Sequence, residues 1–308
     1  MLKKSVTSGL LIVASVAAAQ PRPENAQELT RFEAAEPHMG SITRITIYAR
    51  DDSAIPAAFA RIKELDEKLS DYKSDSELNR VCRTAHGRPV KVSDDLYRVL
   101  EAAQQIAYDT EGAFDVTVGP LTQLWRQRKM PTPAALALVG YRNLVLDPKF
   151  KTVSLKLKGM QLDLGGIAKG YAADEALAVL REHGVPSALV AVSGDLAIGD
   201  APPGKEGWTV RLGGGGDHVL HNCGASTSGN TEQAWYVAPY HLYAHIIDPK
   251  TGKGIDQWEQ VIISVIAPTG ILADALATTM LVMQSKVGEA YLKERGANVF
   301  ASFGALAH

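Results

Sequence analysis

The chain has 308 residues, 46% of them hydrophobic and 21% charged, with 32 Lys+Arg against 34 Asp+Glu and a formal net charge of −2. That balance excludes a disordered or fibrous chain and gives no global basic field for nucleic acid, while leaving local lysines free to meet a small anionic ligand. Beyond a leader, roughly 285 residues remain, enough for one large domain or two small ones.

Residues 1–19 read as a signal peptide. Lys3 and Lys4 open it, "GLLIVASVAAA" is a short apolar run, and the small residues 17–19 place cleavage after Ala19. The run is shorter than the roughly 20 residues of a comfortable span. A retained anchor is the alternative, and no cysteine near residue 19 offers a lipid attachment point. Export to the periplasm, with no stable membrane insertion after cleavage, is the expectation.

Residues 20–36, "QPRPENAQELTRFEAAE", are polar with two early prolines and read as a linker or lead-in segment. "SITRITIYA" (41–49) alternates like a strand. Phe59, Ile62, Leu65 and Leu69 give a helix over 53–70, and Leu96, Leu100, Ala103 and Ala107 give another over 93–110, capped by Ser93. The stretch "EGAFDVTVGPLTQLW" (111–125) is dense in Gly and Pro, and Phe114 there is more often core than cofactor contact.

A helix from Ile167 to about His183 follows "LDLGGIAKGYAADEAL" (162–177). "SALVAVSG" (187–194), "GWTVRLG" (207–213), "AHIIDP" (244–249) and "QVIISVIAP" (260–268) are strands, and 271–284 is a helix. The glycines at 213–216 suit a hairpin connection, since no helical run follows to make them a phosphate cradle. Strands and helices mix without regular alternation, which favours α+β over a doubly wound sheet. Cys82 and Cys223, the only cysteines, are a disulfide pair or two separate thiols and fit no zinc pattern.

Three stretches carry candidate chemistry. Asp274 and Thr278 are four apart on one helix face, where they would hold a hard cation such as Mg²⁺ or simply offset the helix dipole. His245 and Asp248 precede a Pro-Lys-Thr-Gly turn, and His245 is a general base, a phosphate contact or a structural residue. Asp163, Gly165-Gly166 and Lys169 sit at a strand–helix junction, either as a tight turn or as a loop approaching a phosphate. Neither the Rossmann fingerprint nor the P-loop spacing is present.

Taken in order, "HMGS" (38–41), "LSDYKSDSELNRV" (69–81), "GAFDVTVGPLTQLW" (112–125), "LDLGGIAKGYAAD" (162–174), "STSG" (226–229), "HIIDPKTGKGI" (245–255) and "APTGILADALATTMLVM" (267–283) resemble the ApbE family of FAD:protein FMN transferases. The resemblance implies a T-fold-like α+β domain over 37–308. It also implies an Mg²⁺-dependent enzyme that splits the diphosphate of FAD, attaches FMN through its phosphate to a Thr or Ser hydroxyl of another protein, and releases AMP. FAD contacts carried over from the family are Met39, Tyr72, Ala113, Phe114, Asp115, Asp163, Lys169 and Ile247. Metal ligands are the Gly166 carbonyl, Asp274 and Thr278, with Ala277 adjacent. His245 would lie near the reacting phosphate and lead as proton acceptor, Asp274 being the second candidate.

The implied partner is an exported acceptor protein bearing D-x-x-[ST]-G-A-[ST], a sequence this chain lacks. The chain departs from the family pattern at Ser193 and in "NTEQAWY" after "STSG", which touches the acceptor-facing surface more than FAD binding. An FAD diphosphate hydrolase giving FMN and AMP, or a non-catalytic FAD-binding protein, are the alternative functions.

Overall fold

In a computed structural model of the chain, the described residues are 29–213, 216–229, 234–238, 241–255, 259–283 and 286–305. The leader expected over 1–19 lies outside them. The lead-in segment expected over 20–36 is corrected over its last seven residues. Thr30–His38 is strand β1, paired antiparallel with β2 (Ser41–Ala49) through Ala34↔Ile45. As an outer strand it buries little on either face, so it shows no clean alternation to read. A two-residue turn joins β1 to β2, with Met39 at φ 50° and Gly40 at φ 76°, the sense that matches strand twist in a tight hairpin.

Next come α1 (Ile55–Leu69), α2 (Glu77–Thr84), β3 (Val90–Lys91) and α3 (Asp94–Asp109). Phe59, Ile62, Leu65 and Leu69 are buried on α1, and Leu96, Leu100, Ala103 and Ala107 on α3. Ser93 Oγ accepts from Leu96 N–H at 3.2 Å, the cap expected there. The Gly/Pro-dense stretch folds as a 3₁₀ turn (Val116–Val118) and α4 (Gly119–Arg126), followed by α5 (Pro133–Leu136) and the hairpin β4 (Leu144–Asp147) and β5 (Thr152–Leu155). Helix α6 is Ala168–Glu182.

The second half supplies β6 (Ala188–Val192), β7 (Asp195–Ile198), β8 (Trp208–Leu212), β9 (Gly216–Leu220), β10 (Cys223–Gly229), β11 (Ala234–Ala238), β12 (His241–Ala244) and β13 (Glu259–Ala267). Helices α7 (Gly270–Met283) and α8 (Lys286–Glu294) and strand β14 (Asn298–Ala305) complete it. The 213–216 glycines join β8 to β9 as a hairpin connection, of which Gly214 and Gly215 lie outside the described residues.

The strand expected over 244–249 is corrected. Strand β12 ends at Ala244, and the following residues bend, with one bridge between Ile247 and Gly254. Asp248 accounts for this: its carboxylate accepts from Lys250 N–H (2.9 Å) and Thr251 Oγ1 (2.9 Å), and its carbonyl accepts from Gly252 N–H (2.8 Å). Local side-chain hydrogen bonds of this kind compete with a ladder and win here.

The main sheet has seven strands in the order β1-β2-β6-β7-β10-β13-β14, every neighbouring pair antiparallel. Helices α1 and α6 bury Ala58, Phe59, Ile62, Ala173 and Ala176 against Ile45, Ile47 and Val190. Helix α7 packs Ala273, Leu276 and Met280 on Val261, Ile263 and Val265. Mixed helices and antiparallel sheets make the fold α+β. Across α1, α3 and α6, Asp95 gathers Arg61, Lys68 (2.8 Å) and the Tyr171 hydroxyl (2.9 Å), while Glu175 takes Arg61 at 2.5 Å. Both cysteines are free thiols. Cys82 is buried, where desolvation pushes its thiol up to about 11. Among the described residues no helix is long and apolar enough to cross a membrane.

Candidate active site

The segment 166–174 and the first turns of α7 run antiparallel in close contact, and the contact repeats every four residues. A Cβ on Gly166 would stand 3.0 Å from Thr278 Oγ1, and one on Gly170 would stand 2.2 Å from the Gly270 carbonyl oxygen and 2.8 Å from Asp274 Cβ. Asp174 closes the row by accepting from Gly270 N–H (2.7 Å) and Ile271 N–H (2.9 Å), which caps α7 from a helix nearly a hundred residues away. Four-residue spacing keeps each set on one helix face, and glycine at two of the three points removes the side chain that would separate the backbones. Asp274 and Thr278 therefore face the Gly165-Gly166 turn, and Gly170 N–H donates to Asp274 Oδ2 at 3.0 Å.

Around this crossing the two carboxylates, Asp195 and Asp274, are dry. Asp274 is 2% exposed, and Lys169 forms an ion pair with Asp195 and stands 3.9 Å from Asp274 Oδ1. Ser226 Oγ donates to the other oxygen of Asp195 at 2.5 Å, and Ser228 Oγ lies 3.5 Å from Thr278 Oγ1. Burial, followed by the charge of Asp195, pushes the Asp274 carboxyl above the ordinary range. Two carboxylates on one lysine leave an excess negative charge. The neighbouring donors (a carboxylate, a hydroxyl and the peptide carbonyl of a glycine) are all hard oxygens. This donor set and this charge fit a divalent cation of the Mg²⁺ class.

A second group joins α4 to the same turn. Asp163 Oδ1 accepts from Gly165 N–H (2.8 Å), and its Oδ2 is 3.0 Å from Arg126 Nη2. Arg126 Nη1 reaches Asp71 at 2.7 Å, and the guanidinium lies 3.9 Å from the centroid of the Tyr72 ring. Burial and the charge of Asp163 raise the Asp71 carboxyl in spite of Arg126. The preceding residue, Trp125, donates from its indole nitrogen to the Tyr243 carbonyl (3.3 Å), and its ring centroid is 6.1 Å from that of His245.

Met39 packs half-buried against two apolar clusters, one including Leu164 and Ile167 and the other Ile45 and Phe59. Phe114 is buried in the first of these, its side chain a core residue. Asp115 is equally committed: Oδ1 accepts from the Thr117 amide (2.8 Å) and hydroxyl (2.7 Å), and Oδ2 from Tyr141 N–H (2.8 Å). A contact from this loop to a ligand would thus come from its main chain. Ala113 lines a cleft of about 390 Å³ with Asp248, Lys250, Val282 and Met283, which collects the 113–115 loop, the turn after Ile247 and the end of α7 at one opening. Ile247 itself is buried.

Of the residues singled out in the sequence, Gly166 meets Thr278 and Lys169 reaches Asp274 at the same crossing, and Asp163 and Tyr72 are joined through Arg126. His245 and Trp125 flank the α4 side. Sequence reasoning missed Asp71, Trp125, Arg126, Asp195, Ser226 and Ser228. Asp195 ends the "SGD" between two predicted strands, and the serines belong to "STSG", so an acidic residue and hydroxyls on adjacent sheet strands were the available signal.

The ApbE family model matches residues 39–303. A Haemophilus influenzae protein named FAD:protein FMN transferase is 32% identical over 306 residues, covering 91% of this chain and 88% of its own. A Treponema pallidum protein of the same name is 31% identical, covering 85% and 82%. Among solved structures, the ApbE protein of Thermotoga maritima superposes with a TM-score of 0.78 at 29% identity, covering 91% of this chain and 97% of its own. The flavinyl transferase ApbE of Pseudomonas stutzeri gives 0.77 at 28%, covering 89% and 93%. With the match running from the Met39 turn through the Gly166–Asp274 crossing to the last strand, the chain belongs to the ApbE family.

Proposed function

We propose that the chain is an FAD:protein FMN transferase that moves FMN from FAD to a Thr or Ser hydroxyl of an exported acceptor protein and releases AMP. The activity is that named for its relatives at 31–32% identity over most of both chains. The observation that supports the reading is the antiparallel pairing of 166–174 with α7, which brings the backbone of an early glycine turn against Asp274 and Thr278 of a late helix. Mg²⁺ held by the Gly166 carbonyl, Asp274 and Thr278 would supply neutralising charge to a diphosphate whose own oxygens repel a nucleophile.

The chain's own groups account for the rest. Lys169 brings a second positive charge to the site. The acceptor hydroxyl oxygen forms a bond to the flavin-side phosphorus, its proton passes to His245, and the phosphorus–oxygen bond to AMP breaks. Trp125 lies beside His245 on the α4 side, and Asp274 is the alternative proton acceptor. Tyr72, Met39, Asp163, Ile247 and the main chain of 113–115 contribute to the FAD site. Residues 1–19 direct export, so the mature periplasmic protein begins at Gln20; N-terminal sequencing that finds Met1 retained would remove the leader.

The test is to incubate mature protein with FAD, Mg²⁺ and a fragment carrying D-x-x-[ST]-G-A-[ST]. The FMN mass increment on the fragment is expected, and Asp274→Ala abolishes it. Free FMN and AMP with an unlabelled fragment would replace the transferase with a hydrolase, and unchanged FAD would leave a binding protein. Full Mg²⁺-dependent turnover in Asp274→Ala would remove the metal assignment.

A further inference from the structure

Arg126 is the last residue of α4, yet its guanidinium does more than face the end of its own helix. One fork nitrogen is 2.7 Å from Asp71 and the other 3.0 Å from Asp163, two carboxylates from segments more than ninety residues apart. The plane between them lies 3.9 Å from the Tyr72 centroid. Tyr72 is 73% exposed, so with one face of its ring covered by Arg126 the other is open to solvent. On the far side, Asp163 holds the Gly165 amide, which fixes the turn that carries Gly166. A single cation thus ties an exposed aromatic ring to the glycine turn of the candidate active site.

The chemistry of arginine suits that task. Its planar fork satisfies two carboxylates while stacking on an aromatic face, and a lysine ammonium has neither the fork nor the plane. An aromatic ring held on one face offers the other as a prepaid stacking surface, because the entropy of fixing its rotamer has been spent before a ligand arrives.

We infer that Arg126 is a positioning residue that holds the Tyr72 ring as a stacking platform for a planar aromatic ring system, and so sets the affinity for the flavin of FAD. The inference rests on the transferase reading for the identity of that ring system. It places the affinity of this face in a residue that acts through the Tyr72 ring.

The experiment titrates FAD without Mg²⁺ into wild-type protein, Arg126→Lys, Tyr72→Ala and the double variant, following flavin fluorescence, with deuterium uptake over 70–75 measured on the ligand-free proteins. Arg126→Lys is expected to weaken FAD binding roughly tenfold and to raise uptake over 70–75, while adding nothing to the loss already caused by Tyr72→Ala. In turnover, the loss falls on KM more than on kcat. Asp71→Asn, which leaves the Asp163 anchor, gives a smaller loss of roughly threefold and serves if Arg126→Lys folds poorly. FAD binding by wild type that is unchanged in both Arg126→Lys and Asp71→Asn overturns the inference alone. So does an equal loss from Arg126→Lys with and without Tyr72. Wild-type protein that leaves flavin fluorescence untouched both without and with Mg²⁺ removes the transferase reading and this inference with it.

Discussion

Gly170→Ala adds one methyl group at the crossing of α6 and α7 and should damage both stability and turnover. The Cβ would stand 2.2 Å from the Gly270 carbonyl oxygen and 2.5 Å from its carbon, both main-chain atoms that no rotamer change can move. Ordinary contact therefore requires the helices to part by roughly 1 Å. Overpacking of a well-packed contact costs about 1–3 kcal/mol, and a clash with backbone belongs at the upper end. Alanine returns up to about 1 kcal/mol over glycine inside a helix, leaving about 2 kcal/mol net. For a chain of this size that is a fall in Tm of about 4–6 °C. The functional loss should be larger, because the same separation draws Asp274 from Gly170 N–H and Thr278 from Gly166, and a misplacement near 1 Å costs on the order of a hundredfold. Differential scanning fluorimetry and the FMN-transfer assay measure the two effects. A Gly170→Ala protein with wild-type Tm and wild-type turnover would refute the claim that this contact sets the site.

Other consequences can be checked on the same material. Asp95, between Arg61 and Lys68 with a hydrogen bond from Tyr171, is held well below the ordinary carboxylate range although burial opposes this. Its contribution to stability is complete above about pH 4 and is lost as pH falls through the depressed folded-state value, so urea midpoints of Asp95→Asn should be lower than wild type at pH 7 and converge with it towards pH 2. Asp174 behaves oppositely: burial raises its carboxyl to about 6. The Asp174 contribution to stability therefore declines as pH climbs from about 4 to 6, and Asp174→Asn, which keeps one acceptor for the α7 amides, should gain on wild type by about 2 kcal/mol across that window. A gap that stays constant with pH would mean that Asp174 is not penalised as an anion.

Much of the scaffold was legible because its signals are local. The Ser93 cap, the apolar stripe of α3 and the alternation of Ser41–Ala49 each depend on neighbours within a few residues, and each recurs in the fold. The departures have physical causes of the opposite kind. Strand β1 sits outside β2 with both faces largely wet, so its pairing depends on the hairpin turn at Met39-Gly40 and leaves no pattern in its side chains. In "AHIIDP", β-branched residues favoured a strand, but Asp248 spends its carboxylate on the next turn.

The site was half legible for a related reason. Asp274 and Thr278 declare a common face by spacing alone. Nothing local says that Asp195 shares a lysine with Asp274, that Asp174 caps a helix it precedes by nearly a hundred residues, or that Arg126 bridges Asp71 and Asp163. Phe114 shows the limit from the other side, since its own side chain is core while Ala113 beside it lines the cleft.

The two four-residue spacings in "GGIAKGYAAD" and "GILADALAT" are best understood together, as complementary halves of one antiparallel contact. Gly166 meets Thr278, Gly170 meets both Gly270 and Asp274, and Asp174 meets Gly270. Glycine is needed here for approach, and approach has an electrostatic result. Once the backbones touch, water is excluded from Asp274, whose carboxyl rises under the combined effect of burial and Asp195. A carboxylate so placed costs the fold stability unless a cation or a proton compensates it, and one shared lysine leaves the compensation incomplete. The packing that brings the helices together is therefore also what creates the demand for positive charge. A substitution that opens the helices relieves that demand as it disperses the proposed ligands, so loss of affinity for a divalent ion should accompany every variant that widens this crossing, whichever side of it is changed.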